Sequence, residues 1–312
     1  MTDTLRSYLA LAFGILCIGF SAIFVRWADA PGPVAAFYRM SITALVLAIP
    51  FIRHRRRQAR KASALPLTRE EVVVALVGGL FFASDLVFWN TGILISGATN
   101  PTLMGNTAPL WVGLGALIFF REELPGIFWV GLTMAMAGAA LVLGLDVLAD
   151  FSLGLGTLFG LIAGIFYGGY FLITQRGRRT MDTLTYFWLA AFSASILLFI
   201  ATRVLDQPLL GYSRFTYLNF LAMGLLVQVS GQFSFSYALG YLPASAVAPV
   251  GMAQPVATAI LAWPLLGETI SPLQAVGGVT VLAGVFIVQR SRVPASVGKP
   301  VEHRAPTYDS IE

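Results

Sequence analysis

The chain has 312 residues, 57% of them apolar and only 11% charged, with a mean hydropathy of +0.79 and a formal net charge of +5. An ordinary soluble domain carries about 25% charged residues, so this composition excludes one and points to an integral membrane protein. The apolar runs are long and continuous where barrel strands would alternate, which leaves an all-α fold.

Crossing the hydrocarbon core takes about 20 mostly apolar residues, and ten stretches qualify. The first, 7–26, holds the only cysteine, Cys17, so no disulfide can form within the chain. Ala28-Asp29-Ala30 resembles a signal-peptidase site, but the apolar run before it exceeds the usual length of about 7–15 residues, and Met1 to Ser7 hold a single Arg. The segment is therefore read as a retained helix. The second stretch, 33–52, carries Arg39 and ends in Arg53-His54-Arg55-Arg56-Arg57, which opens a basic connection through Arg60 and Lys61 to Arg69. The third, 72–93, holds Asp85, Trp89 and Asn90, and the fourth, 98–120, holds Pro101, Asn106, Pro109 and Trp111.

The fifth stretch is 126–144. In the sixth, 154–174, Gly156, Gly160, Gly164 and Gly168 recur every four residues on one face. That stripe predicts close helix packing. A nucleotide loop is the competing reading, but no Gly-Lys-Ser/Thr occurs in the chain, so it does not itself hydrolyse ATP. The seventh is 184–203. The eighth, 215–239, sets Gln228, Gln232 and Ser236 on one face, with Tyr237 beyond them. The ninth, 243–266, holds Pro249, Gln254, Pro255 and Trp263, and the tenth is 272–289. Residues 291–312 are rich in polar residues with no apolar period and are expected to form a disordered cytoplasmic tail.

Basic residues orient these helices. With the N-terminus inside, sixteen Lys and Arg fall on inner segments and three (Arg26, Arg203 and Arg214) on outer ones. The bias predicts both termini in the cytoplasm and a multi-pass protein of the cell inner (plasma) membrane. It also explains the positive charge by topology and anionic membrane lipids, with no nucleic-acid partner required.

A second order lies in the sequence itself. Shifting residues 78–142 by 146 positions superposes Gly78 on Gly224, Ser84 on Ser230, Ala98 on Ala244, Gly105 on Gly251 and Pro109 on Pro255. Glu122 then falls on Glu268, Gly131 on Gly277, Gly138 on Gly284 and Val142 on Val288. Two five-helix units, 1–147 and 148–290, are the expected organisation. Five is odd, so the second unit enters the membrane in the opposite sense and the repeat is inverted, an arrangement that places a binding site between the units near the midplane.

Catalytic chemistry finds no support: no Gly-x-Ser-x-Gly is present, and His54 and His303 have no carboxylate or thiol spaced to share a metal. The chain is read as a non-enzyme without cofactor, metal or ATPase partner. What remains is polar content inside the helices. Arg39 and Asp85 each lie thirteen residues from the basic ends of their helices, roughly 20 Å deep at about 1.5 Å per residue. A charge at a helix centre costs on the order of 2.5–3.5 kcal/mol, so equal depth on neighbouring antiparallel helices predicts an ion pair, serving either structure or substrate. Asn90, Asn106, Gln228, Gln232 and Gln254 add amides, and Trp89, Trp111, Tyr237 and Trp263 add aromatic surface; together they describe a wet, aromatic-walled cavity for an amphipathic organic solute. Pro109 and Pro255 are candidate gating hinges at equivalent places in the two units.

The segments Ala98-Thr99-Asn100-Pro101-Thr102 through Arg121-Glu122-Glu123, and Tyr237-Ala238-Leu239 through Leu266-Gly267-Glu268-Thr269, resemble the paired repeats of the EamA family in the drug/metabolite transporter superfamily. Phe37-Tyr38-Arg39 is similar to that family's recurring Arg, while Ile18-Gly19-Phe20 departs from its usual Trp-Gly pattern. The resemblance implies a ten-helix inverted-repeat exporter of small metabolites working by alternating access, most similar to the branch that exports amino acids, aromatic ones included. Drugs or nucleotide sugars as substrate, or a permease subunit that needs a partner, are the alternatives.

Overall fold

The computed structural model describes residues 2–60, 66–97, 99–144 and 154–291. The boundary expected at 147/148 and the tail beyond Ser291 lie outside them. Among the described residues ten helices are long and apolar enough to cross a membrane: α1 (Asp3–Ala28), α2 (Gly32–Ala59), α3 (Arg69–Ser96), α4 (Asn100–Phe119), α5 (Gly126–Leu143), α6 (Leu155–Arg178), α7 (Thr183–Val204), α8 (Arg214–Ala238), α9 (Ala244–Leu266) and α10 (Pro272–Arg290).

Helices α3, α7 and α8 start earlier than hydropathy predicts because their first turns are polar and capped, and α10 is capped where it was expected to start. Thr68 and Glu71 close a reciprocal capping box at α3, and Ser271 and Gln274 do the same at α10. Asp182 and Ser213 cap α7 and α8. Each cap satisfies amide N–H groups that a helix start otherwise leaves without partners.

Two crossings are broken at matching places. Helix α4 is interrupted at Asn106–Thr107 between Thr99–Gly105 and Ala108–Phe119, and α9 at Met252–Ala253 between Ala244–Gly251 and Gln254–Leu266. The breaks are 146 residues apart. Pro109 and Pro255 both lie in the first turn of the second segment, where a missing N–H removes no helical hydrogen bond. They restart a helix instead of bending one. A break without a counterpart divides α1 at Phe20, and α8 carries a π-helical stretch, Met223–Gln232, where its counterpart α3 is regular.

Packing sorts the helices into two bundles, each drawing on both halves of the sequence. Helix α6 lies along α3 and α4, and α3 also packs on α7; α1 lies along α8 and α9, and α2 packs on α8. The glycine stripe of α6 makes the first bundle tight: a Cβ on Gly164 would stand 2.9 Å from the Met104 carbonyl oxygen, and one on Gly168 3.0 Å from that of Ala108. The bundles are joined where α2 meets α7 and α5 meets α10. In the α5–α10 contact Gly131 meets Gly284 and Gly138 meets Gly277, with each prospective Cβ within 3.0 Å of the facing carbonyl oxygen. The reciprocal pairing runs antiparallel, as a two-fold axis across the helices requires.

One end of the molecule gathers the arginines. There His54 meets Asp182 at 3.2 Å and Arg176 meets Glu70 at 3.0 Å. At the opposite end Arg26 pairs with Glu268, and the Tyr38 hydroxyl donates to the Leu209 carbonyl. Between the ends the outer surface is apolar, with Leu45, Phe119 and Val279 among the exposed side chains, as a lipid-facing belt requires.

Candidate functional site

The two bundles face each other across a line of polar side chains. Gln228, in the π-helical stretch of α8, is 0% exposed, yet neither atom of its carboxamide has a hydrogen-bond partner. One turn on, Gln232 donates to the Tyr167 hydroxyl of α6 at 3.2 Å while its carbonyl oxygen is unpartnered, and Ser236 continues the face with an unpartnered hydroxyl. Each such group costs about 1–3 kcal/mol when buried unsatisfied. A concentration of them on one face marks a surface built to meet something else.

Two small cavities flank this line. The first, about 40 Å³, lies at the paired breaks and is bounded by Asn106, Pro109, Tyr167, Phe171, Phe235 and Gln254. Both restarting half-helices begin here and both first half-helices end here, at Gly105 and Gly251, so helix ends of both signs face it. The amide nitrogen of Asn106 is buried there without a partner. The second cavity, about 30 Å³, is bounded by Ser21, Gly32, Arg39, Trp89, Asn90 and Met223. Gly32 makes room for Asn90, whose amide donates to the Leu86 carbonyl at 2.6 Å. A water needs about 10–15 Å³ by this measure, so each space has room for about two to four waters and an organic solute requires the bundles to part.

Arg39 and Asp85, the two deep charges, do not form the predicted ion pair. No nitrogen of Arg39 comes within 4.0 Å of an Asp85 oxygen, although the charges act on each other at longer range. The Arg39 guanidinium lies 5.7 Å over the Phe82 ring instead, and its Nε is buried without a partner. Equal depth was legible, but direction around the helices was not, and Arg39 of α2 meets the Phe82 ring of α3 in place of Asp85.

The other expected residues divide. Trp89 and Asn90 bound the second cavity, Asn106, Gln254 and Pro109 the first. Pro255 starts the second half of α9. Trp111 instead lies against Gly168 of α6 with its N–H on Thr107 at 3.1 Å. Tyr237 sits at the basic end beside Tyr241, ring centres 5.0 Å apart, and Trp263 is 62% exposed on the outer surface. These three line neither cavity. Sequence reading missed Tyr167, Tyr170 and Phe171, which form an aromatic wall on α6 with Tyr167 and Phe171 centroids 4.9 Å apart. The spacing Tyr167, Phe171, Gln175 was the available signal, hidden beside the glycines.

Ten membrane crossings, paired broken helices and unsatisfied polar groups between two bundles define a multi-pass membrane transporter. A family model described as the EamA-like transporter family matches residues 5–144 and again 154–290. The chain belongs to that family. It is 23% identical over 222 residues to the uncharacterized transporter YdfC of Bacillus subtilis, covering 71% of this chain and 72% of the relative. It is 25% identical over 226 residues to a protein of Streptantibioticus cattleyicolor named as a probable terminal-alkyne amino-acid exporter, covering 72% and 75%. A crystal structure at 17% identity superposes with a TM-score of 0.75 over 92% of this chain and 97% of its own, a likeness of fold.

Proposed function

We propose that the protein is a self-sufficient secondary carrier that exports small organic metabolites, amino acids with aromatic side chains among them, by alternating access. The observation that carries this reading is the pair of broken helices whose free ends, of both signs, face one cavity, beside carboxamides left without partners. A zwitterion suits such a site. The starts of the two restarting half-helices at the first cavity and Arg39 at the second offer positive charge to a carboxylate, and Asp85, not paired to Arg39, offers negative charge to an ammonium. Tyr167, Phe171 and Phe235 supply an aromatic wall for a planar side chain. The relative named as an amino-acid exporter adds support for the substrate class. The arginine-rich end is cytoplasmic in this reading, by the positive-inside rule.

Purified protein in liposomes without ATP tests it. Saturable uptake of a labelled aromatic amino acid, competed by its relatives, is the expected result. Absence of flux across a panel of amino acids would overturn the substrate class, and flux that appears only with an added ATPase subunit would overturn self-sufficiency.

A further inference from the structure

We propose that the last turn of α6 is a latch that holds the arginine-rich end of the carrier shut by capping α9 from the opposite bundle. The inference rests on the carrier reading for its meaning but on separate contacts for its evidence. Helix α9 begins after Pro243, which has no side-chain acceptor, whereas α3, α7, α8 and α10 are capped by their own Thr68, Asp182, Ser213 and Ser271. Its missing cap comes from Gln175 on α6. That side chain is 5% exposed, and its carbonyl oxygen accepts the Ala244 N–H at 2.7 Å. One turn later Arg178 donates from Nε to the Ser236 carbonyl at 3.0 Å, and its guanidinium covers Gly240, where a Cβ would stand 3.1 Å from Cζ. The two side chains thus grip both limbs of the α8–α9 turn. A second link joins the same bundles where the Ser245 hydroxyl of α9 donates to Glu122 beyond α4.

The repeat supplies the control. Near the arginine-rich end the half-helices Ala108–Phe119 and Ala244–Gly251 pack on each other, while among the described residues their counterparts Thr99–Gly105 and Gln254–Leu266 make no comparable contact. At the 146 offset Gln175 corresponds to Asp29, which is exposed and makes no hydrogen bond among the described residues. Among the described residues Gln175 thus makes a contact between the bundles that its counterpart Asp29 does not make. Tyr167, two turns up the same face of α6, bounds the first cavity and holds Gln232, so one rigid helix carries both the cavity wall and the latch.

Accessibility of the first cavity from each side tests the latch without measuring transport. In a Cys17→Ser background, Ala248→Cys places a thiol on the cavity wall. A membrane-impermeant maleimide is applied to inside-out and right-side-out vesicles. Gln175→Leu, which keeps the bulk but loses the acceptor, should speed labelling from the arginine-rich side by about fivefold, the shift that loss of one helix cap produces, and slow it from the other side. Gln175→Glu keeps the acceptor and adds negative charge at a helix start, so labelling should stay at or below the parent rate. An unchanged rate in Gln175→Leu, the same increase in both variants, or faster labelling from both sides would overturn the proposal. A failed solute panel in liposomes would leave this result untouched.

Discussion

Helices α3 and α8 are counterparts in the repeat, yet they have become different instruments. Helix α3 is a regular α-helix with a reciprocal cap, and it presents Phe82, Leu86 and Asn90 where α8 presents Gln228, Gln232 and Ser236. Helix α8 passes through a π-helical stretch, in which the Phe233 N–H reaches back to the Gln228 carbonyl and the Ser230 hydroxyl to that of Leu225. Wider turns of this kind recur at functional sites because they re-aim side chains that a regular helix would stack. Asp85 of α3 faces Gly231 of α8 in the alignment, so one half keeps a charge where the other keeps a close approach to Ile18. Duplication supplied the frame, and a few positions on two helices made the halves asymmetric.

The sharpest break of that comparison removes the charges. Arg39→Ala alone should lower uptake by about a hundredfold, the equivalent of roughly 3 kcal/mol for a charge-assisted hydrogen bond to substrate. Asp85→Ala should fall comparably. Because the two do not touch, the double variant should be no better than the worse single one; recovery of uptake in it would restore the ion pair that the structure lacks.

Gln228→Leu gives α8 the apolar character of α3. It should raise thermal stability in detergent, because it removes a buried carboxamide with no partner worth about 1–3 kcal/mol, while lowering uptake about tenfold. Lost stability would mean that the amide already has a structural partner. Gly231→Ala probes the other side of the exchange. Its Cβ would stand 2.6 Å from Cγ1 of Ile18, so α1 and α8 must separate slightly, at a cost of about 1–3 kcal/mol. Ile18→Ala removes that atom, so it should cost less melting temperature in the Gly231→Ala chain than in the parent, and equal costs would place the strain elsewhere.

How much of this was legible depends on the kind of signal. Helix number followed from length and hydropathy, and glycines spaced by four announced the α6 contacts because only a missing side chain allows such approach. Depth along a helix was legible too, which is why Arg39 and Asp85 were matched in height. Direction around a helix was not. In a membrane the lipid side and the core side are equally apolar, so no stripe marks the inward face. Trp263 was therefore assigned to a cavity although it faces outward, and Tyr167 was overlooked although it faces in. The cap that Gln175 lends to α9 joins residues 69 positions apart, and no local pattern encodes it.

The smallest effect lies at the helix starts, where the halves also differ. Helix α2 begins after Pro31 with no side-chain cap, while its counterpart α7 begins at Asp182, whose carboxylate accepts the Thr185 N–H at 3.0 Å and hydroxyl at 2.7 Å. Burial alone would raise the Asp182 carboxyl, but the Thr185 hydrogen bonds and the neighbouring His54 outweigh it and hold the group below the ordinary carboxylate value. A group depressed on folding contributes stability that is complete above its unfolded value, near 4, and is lost as pH falls through the lower folded value. Melting in detergent should therefore show a small acid-side loss in the parent that Asp182→Asn lacks, with the variant slightly less stable at neutral pH. Equal pH profiles for the two proteins would mean that the cap works through its shape alone and that charge at this end of α7 contributes nothing.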